Sequence, residues 1–447
     1  MSAQTAPLQA TPPLARVLQR RRDRLAELHP GPVLLWSGQA VARNFPANVY
    51  PFRASSHFLY FAGLPLANAA IHLEAGRLTL FMDDTSPEAA LWHGPTPSRD
   101  TIAAEIGAAA AYPYDQVDRF RAEVALLPAQ ASAEPDRSRA LVDALVALRL
   151  HHDDGALAEI KRAAAVSVAA HRAGMAATPR ATTGAEVRAA MEQVIVARGM
   201  ACAYNSIVTV HGEVLHNEQY HHALAAGELL LADVGAEAAS GWASDITRTW
   251  PVSGKFTAPQ RDIYDVVLAA HDACIAAARP GVEYRDLHLL ACRTLAAGLV
   301  DLGLLWGDPD NLVEQDVHAL FFPHGVGHLL GLDVHDMEDL GDAAGYAAGR
   351  VRSDRFGLKF LRLDRPLAAN MVVTIEPGFY QVPGILEPAR RSQQYRDTVN
   401  WQRLEAFQGV RGIRIEDDVQ ITPTGCTVLT EALPTQASAI EALVGPA

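Results

Sequence analysis

Four strand-like apolar runs in the second half of this 447-residue chain each contain an acid. Asp233 lies in "LLLADVG", Asp245 in "WASDITRTW", Glu376 in "VVTIEPG" and Glu416 in "GIRIEDD". Acids are depleted from strand interiors because taking an unpaired carboxylate out of water is costly. A fold that accepts four of them must give them a shared compensation. The stretch "GELLLADVGAEAASGWASDITRTWPVSG" reads as two strands around the small-residue turn Ala238 to Gly241, an arrangement expected to set Asp233 opposite Asp245. Like charges facing each other across a hairpin repel, and a divalent cation between them reverses the sign. In the last run Arg414 and Glu416 are two apart and share a strand face, so the guanidinium can hold the carboxylate or bind a substrate oxyanion beside it.

A histidine-rich stretch, "FFPHGVGHLLGLDVHD", adds His324, His328 and His335. The spacing of His324 and His328 matches the one-face geometry of zinc-binding helices, but Gly325 stands where that motif keeps its general base. Gly325 and Gly327 would each also cost a helix interior about 1 kcal/mol. A zinc helix is therefore not expected here. Four carboxylates and one imidazole are instead a donor set suited to two metal ions sharing a water. The oxygen majority favours manganese, and the general affinity order favours zinc or cobalt as rivals.

The rest of the chain narrows the setting. Its length suggests two domains, and 49% hydrophobic with 20% charged residues is the composition of an ordinary globular protein. A formal net charge of −13 argues against nucleic acid, whose phosphates are bound by clustered Lys and Arg. No apolar run reaches the ~18 residues of a membrane span, and the start shows no signal-peptide core. Cys202, Cys274, Cys292 and Cys426 are far apart with no CxxC pair, so a reducing cytoplasm is the simplest compartment. "PVLLWSG" and "RLTLFMDD" read as buried strands, residues 137–150 as a helix, and Asp153/Asp154 as the N-cap of a long Ala-rich helix. The expected division is an N-terminal mixed α/β domain over residues 1–152 and a second α/β domain over residues 153–447. A further helix is expected to open near Thr257 and Pro259.

With these motifs in view, the chain resembles the pita-bread-fold dinuclear metallopeptidases, the family of methionine aminopeptidase, aminopeptidase P and prolidase. The resemblance rests on "LLLADVGAE", "SDITRTWPVSGKF", "HGVGHLLGLDVHD", "TIEPGFY" and "GIRIEDD", in the family's order. "YPFRASSHFLYFAGL" (Tyr50 to Leu64) looks like the signature of the aminopeptidase P N-terminal domain. The resemblance implies an α/β (α+β) architecture, the N-terminal domain being followed by a C-terminal pita-bread catalytic domain. It implies metal ligands at Asp233, Asp245, His328, Glu376 and Glu416, and substrate-handling roles for His324, His335 and His216. The implied reaction is hydrolysis of the Xaa-Pro bond at the N-terminus of short proline-containing peptides, with prolidase activity on dipeptides as the alternative. A homodimer, or a dimer of dimers, is also implied.

On that footing Asp245 and Glu416 are expected to bridge two ions, with Asp233 completing one and His328 with Glu376 the other. Glu376 would act as general base, His324 and His335 as neutral donors, and Arg414 would orient Glu416. His216 in "VLHNEQYHH" has neighbours His221 and His222 that read as solvated loop residues, and Trp92 reads as packing or a subunit contact. Two departures stand out. The interval from Asp233 to Asp245 suggests a bulge or longer turn, and the insertion between Glu376 and Glu416 is more like prolidases. Rivals from other classes are a non-catalytic pita-bread peptide-binding protein and a metal-free creatinase-like hydrolase, both disfavoured because all five ligand positions are filled.

Overall fold

The computed structural model describes residues 14–120, 125–126 and 135–445. By internal contacts the chain forms two compact units, one made of Met1–Glu159 with Ala239–Gly241 and the other of Ile160–Ala238 with Trp242–Ala447.

The first unit is built on a mixed five-stranded sheet. Its strands are β1 (Val33–Gly38), β2 (Ala69–Glu74), β3 (Arg77–Phe81), β4 (Ala110–Tyr112) and β5 (Ala125–Leu126), in the order β4-β3-β2-β1-β5. The two central pairings are antiparallel and the two outer ones parallel. Helix α1 (Leu14–Leu28) buries Val17, Leu18 and Leu25, the stripe that a 3.6-residue period dictates. The Tyr50–Leu64 stretch contains α2 (Ser56–Ala62), which Gly63 closes in the left-handed conformation at φ 71°. Arg53 Nη1 donates to Ala54 O at 3.0 Å and to Ser56 Oγ at 2.6 Å, and its Nη2 donates to Gly241 O at 3.4 Å. Trp92, on the short helix Pro87–His93, is 76% exposed, so of the two expected roles packing within the chain is set aside and a subunit contact is left.

Helix α3 (Asp154–Ala177) starts where the acid pair predicts: Asp153 Oδ1 accepts from Ala156 N at 2.8 Å, the hydrogen bond of an N-cap. The boundary between the units falls within this helix, at Glu159/Ile160, whereas the sequence places it at 152/153.

The second unit holds four small antiparallel sheets, one of them the short pairing of Ala201–Cys202 with Ala236–Glu237. The first orders β8 (Thr247–Pro251), β7 (Leu229–Asp233) and β6 (Ile207–Thr209). The second orders β9 (Val372–Ile375), β12 (Asp417–Ile421) and β13 (Cys426–Val428), and the third pairs β10 (Gly378–Tyr380) with β11 (Gly412–Arg414). Its longer helices include α4 (Gly184–Ala197), α5 (Ala258–Ala277) and α6 (Tyr284–Asp301). Thr257 precedes α5 as expected, its N–H donating to Gln260 Oε1 at 2.9 Å in a capping box. Val187, Met191, Val208, Leu230, Ala232 and Trp250 share one core, so α4 and the first sheet are packed as a body.

Two sequence expectations are corrected. Asp233 pairs with Thr247 in the β7–β8 ladder, and Asp245 lies two residues before that strand opens. The ladder runs in register from Leu229/Pro251 to Asp233/Thr247, so the long interval between the aspartates is an extended connection and no bulge. Within it Ala236–Glu237 pairs with Ala201–Cys202 instead. Moreover, only Asp233 lies inside a strand. Glu376 sits in the break between β9 and β10, where Pro377 has no N–H to offer a ladder. Glu416 sits in the matching break between β11 and β12.

Candidate metal centre

The strand breaks free the two glutamates to leave the sheet faces. Glu376 N donates to Val326 O at 2.8 Å and Glu416 N to Thr247 O at 3.0 Å, so both backbones remain anchored while the side chains turn inward. Asp245 is anchored by the side chain of Asp418, which accepts its N–H at 3.0 Å. Asp417 and Asp418 are both fully buried, although adjacent acids ordinarily mark a solvated surface. Asp233, Asp245, Glu416 and His328 are buried as well.

The "HGVGH" stretch is not helical, as its glycines predict. Close packing of the protein's own backbone requires both glycines. A Cβ on Gly327 would collide with Thr374 O and the Tyr284 hydroxyl, and one on Gly325 would meet Leu361 Cα at 3.0 Å. This close seating lets His328 N donate to Thr374 Oγ1 at 3.1 Å while His328 O accepts from Thr374 N at 3.0 Å.

His328 Nδ1 lies 3.0 Å from Leu329 O, and a carbonyl can only accept, so Nδ1 carries the proton. Its Nε2 is therefore a bare lone pair, and it faces Asp245 Oδ2 at 3.4 Å and Glu376 Oε1 at 3.6 Å. With both carboxyls ionised, these three acceptors repel unless a cation joins them. One ligand atom each from Asp245, His328 and Glu416 also lie within 4.8 Å of one another. The orienting hydrogen bond on the far nitrogen is the usual support of a metal-bound imidazole.

The charge balance agrees. Burial pushes the Asp245, Glu376 and Glu416 carboxyls above their ordinary range, with the neighbouring acids adding to the rise and Arg414 opposing it. Four carboxylates are matched by one buried guanidinium, Arg414. Its Nη2 donates to Asp233 Oδ2 at 2.6 Å and its Nη1 to Tyr380 OH at 3.1 Å. Arg414 does not touch Glu416 directly, as the sequence suggested: its Nε donates to Thr247 Oγ1 at 2.9 Å, and that hydroxyl donates to Glu416 Oε2 at 2.6 Å. The residues present thus fit divalent cations.

Tyr204 is the participant that sequence reasoning missed. Its hydroxyl lies 2.6 Å from Asp233 Oδ1 and 2.5 Å from Asp245 Oδ1, sharing one proton between two carboxylates. Burial and then those two aspartates hold its phenol well above the usual range, so it remains a donor. The one sequence signal is a lone aromatic in "ACAYNS", a stretch with no periodicity to mark it.

The cluster opens on a cavity of about 580 Å³, within the range of small-ligand sites. All five expected ligands line it, together with His216, His324, His335 and Arg414. Val382 and Ile385, from the insertion after Glu376, line it too. The histidines differ from expectation in their donors. His324 Nδ1 donates to Gly325 O at 2.8 Å and its Nε2 accepts from Tyr380 OH at 2.8 Å, so both nitrogens are already engaged. Burial, then Arg414, lower its pKa to about 3, which keeps it neutral. His335 Nδ1 donates to Glu338 Oε2 at 3.2 Å. Burial opposes the charge on Glu338, but His335 and Arg362 override it and hold that carboxyl down at about 2. A neutral His335 consequently offers an acceptor at Nε2, and donating from there requires a proton that burial disfavours. His221 is exposed, in agreement with a solvated loop.

Comparison with known proteins decides the family. The description Metallopeptidase family M24 matches residues 158–423, and Aminopeptidase P, N-terminal domain, matches residues 18–129. The chain belongs to metallopeptidase family M24. Membership carries divalent-metal use with it, and the pita-bread fold of the second unit. A probable Xaa-Pro aminopeptidase of Sordaria macrospora is 34% identical over 94% of this chain and 93% of that one. One of Podospora anserina is 34% identical over 86% of each chain. Among solved structures, the aminopeptidase PepP of Pseudomonas aeruginosa superposes with a TM-score of 0.78 at 29% identity, covering 98% of this chain and 99% of that one. Zinc-substituted Escherichia coli aminopeptidase P in complex with product gives 0.78 at 28%, covering 96% and 98%. Among the described residues of this M24 member, no helix is long and apolar enough to cross a membrane.

Proposed function

We propose that this chain is an Xaa-Pro aminopeptidase, a metallo-exopeptidase that cleaves the imide bond before proline at the N-terminus of short peptides. One observation carries the reading: the bare Nε2 of His328 and four carboxylates, three of them buried, converge on a cavity wall with one buried guanidinium, Arg414, donating to Asp233 among them. The relatives' names supply the substrate class. Asp233, Asp245, His328, Glu376 and Glu416 would hold two divalent ions. Manganese suits the oxygen-rich donor set, with zinc or cobalt as rivals. When bound, such ions lower the pKa of water toward neutrality and polarise the scissile carbonyl.

This chain's own residues do the rest. Glu376 reaches the cavity with burial already favouring its protonated form, which suits it to take a proton from water and pass it toward the departing proline nitrogen. Arg414, Tyr204 and Thr247 fix the carboxylates in place. His216 and His335 face the peptide, and His324 holds the Tyr380 hydroxyl that Arg414 also grips. In Glu376→Gln, kcat should fall by ~10²–10⁴, while full turnover would overturn the base assignment.

Prolidase is the second reading, favoured by the insertion that places Val382 and Ile385 on the cavity wall. Assays of Xaa-Pro-Yaa and Xaa-Pro peptides with manganese separate the two. Cleavage of the tripeptide is expected, and cleavage of the dipeptide alone would make the enzyme a prolidase. Metal binding with neither cleavage would leave a peptide-binding module. A homodimer or dimer of dimers belongs to the same proposal, motivated by Leu91 and Trp92 standing exposed on one short helix, and sedimentation velocity tests it. So does a reducing cytoplasmic setting, which the four free cysteines support.

A further inference from the structure

A second group of metal-ligating side chains lies away from the cavity. His288 and Cys292 are one turn apart on α6, and His318 comes from the 3-10 turn Val317–Leu320. None of the three lines the cavity. His288 and Cys292 are fully buried and His318 is 3% exposed, yet one ligand atom from each lies within 4.8 Å of the others.

Three observations distinguish this group from ordinary packing. First, both ring nitrogens of His318 are buried without a hydrogen-bond partner, and such orphaned polar atoms are rare in a folded interior. Second, His288 Nε2 lies 2.8 Å from Gly357 O, so Nε2 carries the proton and Nδ1 is left as a lone pair. A protonated far nitrogen held by a carbonyl is how proteins orient a metal-bound imidazole. Third, Cys292 Sγ lies against the His288 ring, 3.9 Å from Nδ1 and 3.5 Å from Nε2. Two ligand atoms on a tetrahedral zinc-class ion are separated by roughly 3.6 Å, given its usual bond lengths. Gly357 encloses the group, since a Cβ there would meet His318 Nε2 at 2.7 Å and collide with Asp316 Oδ1. Asp316 Oδ1 is itself buried without a partner.

We propose that His288, Cys292 and His318 form a structural site for one borderline-soft divalent cation of the zinc class. The N, N, S donor set selects such an ion over manganese, which prefers oxygen. On binding, the Cys292 thiol releases its proton to solvent and the thiolate sulfur becomes a ligand. Burial keeps both imidazoles neutral, with pKa values lowered to about 4 for His288 and about 3 for His318, so no proton competes for their lone pairs near neutral pH. The ion would tie α6 to the turn that leads into Phe321 and Phe322. Phe321 stacks on Phe379 of β10 at 5.2 Å, and its carbonyl accepts from Tyr380 N at 2.8 Å.

Cobalt(II) tests the proposal without reference to turnover. The residues assigned to the catalytic ions offer only oxygen and nitrogen, so a sulfur-to-cobalt charge-transfer band in the near ultraviolet reports a cysteine-bound ion alone. The full chain, expressed in zinc-depleted medium with cobalt(II), should show this band and hold one more equivalent of cobalt than Cys292→Ser. The band should vanish in Cys292→Ser and in His318→Gln and persist in Cys426→Ser. Should Cys292→Ser not fold, the wild-type spectrum and His318→Gln decide. A wild-type protein without the band, a band that survives Cys292→Ser, or equal cobalt content in the two proteins would each overturn the site, and a buried water would then satisfy His318.

Discussion

Tyr204 shows how much a single hydroxyl can hold in place. It sits between two aspartates that would otherwise repel, and it does so from a loop residue with no charge of its own. Tyr204→Phe should weaken metal binding by ~10–100-fold, the usual cost of losing a group that orients a ligand. Calorimetric titration with manganese measures this, and unchanged affinity would assign the tyrosine to packing. His335→Ala should lower turnover while leaving metal content normal, because its ring contacts His328 edge-on at 4.2 Å and its nitrogens point to Glu338 and the cavity. Loss of metal in that variant would make His335 part of the ligand cage. The chemistry of Asp233, Asp245, Glu376 and Glu416 was legible in the sequence because an acid in an apolar run is anomalous in itself. Tyr204 was not, since a tyrosine in a loop breaks no rule. Nor were the donor roles of His324 and His335, which depend on Tyr380 and Glu338, neighbours that folding brings to them.

At the scale of elements, the clamp behind the site is Arg248 on β8. Its guanidinium donates to Thr247 O at 3.0 Å, Glu416 O at 2.6 Å and Leu433 O at 2.9 Å, and it pairs with Asp417 at 2.8 Å, all without solvent exposure. Arg248→Gln takes the guanidinium from buried Asp417, which keeps His271 Nε2 at 3.0 Å, so the cost should lie at the lower end of ~3–5 kcal/mol. The urea midpoint should drop accordingly, and an unchanged midpoint would show the clamp to be redundant. Gly235 is constrained in the same region, because a Cβ there would run into Ser244 O. Most elements were readable in advance: the alternating and apolar runs gave the strands, and Asp153 and Thr257 marked helix starts. The register was not, because nothing in "DVGAEAASGWASD" says that Ala236–Glu237 will pair outside the hairpin. The breaks at Glu376 and Glu416 were half legible, through Pro377 alone.

For the whole molecule, acidity should act through buried imidazoles as well as through the metal centre. His171 is fully buried, and burial, then Arg248, lower its pKa from 6.5 to about 4. Between those values the unfolded chain takes up a proton that the native chain refuses. The stability is therefore complete above pH 6.5 and is lost as pH falls toward 4, at up to ~1.4 kcal/mol per pH unit. Urea midpoints measured in chelator across this range should fall with pH, and less steeply in His171→Gln. Equal slopes would remove His171 from the account.

The unbalanced charge of the carboxylate cluster also bears on how long the protein lasts in a cell. A native state that binds cations its unfolded chain cannot grip is stabilised by mass action, by about 2.7 kcal/mol when free ion stands at 100 times Kd. The fraction of chains open to proteolysis then rises whenever the ion is scarce. Cellular metal supply would thus set the abundance of this protein as well as its activity, and a metal-starved culture should clear it faster than a replete one.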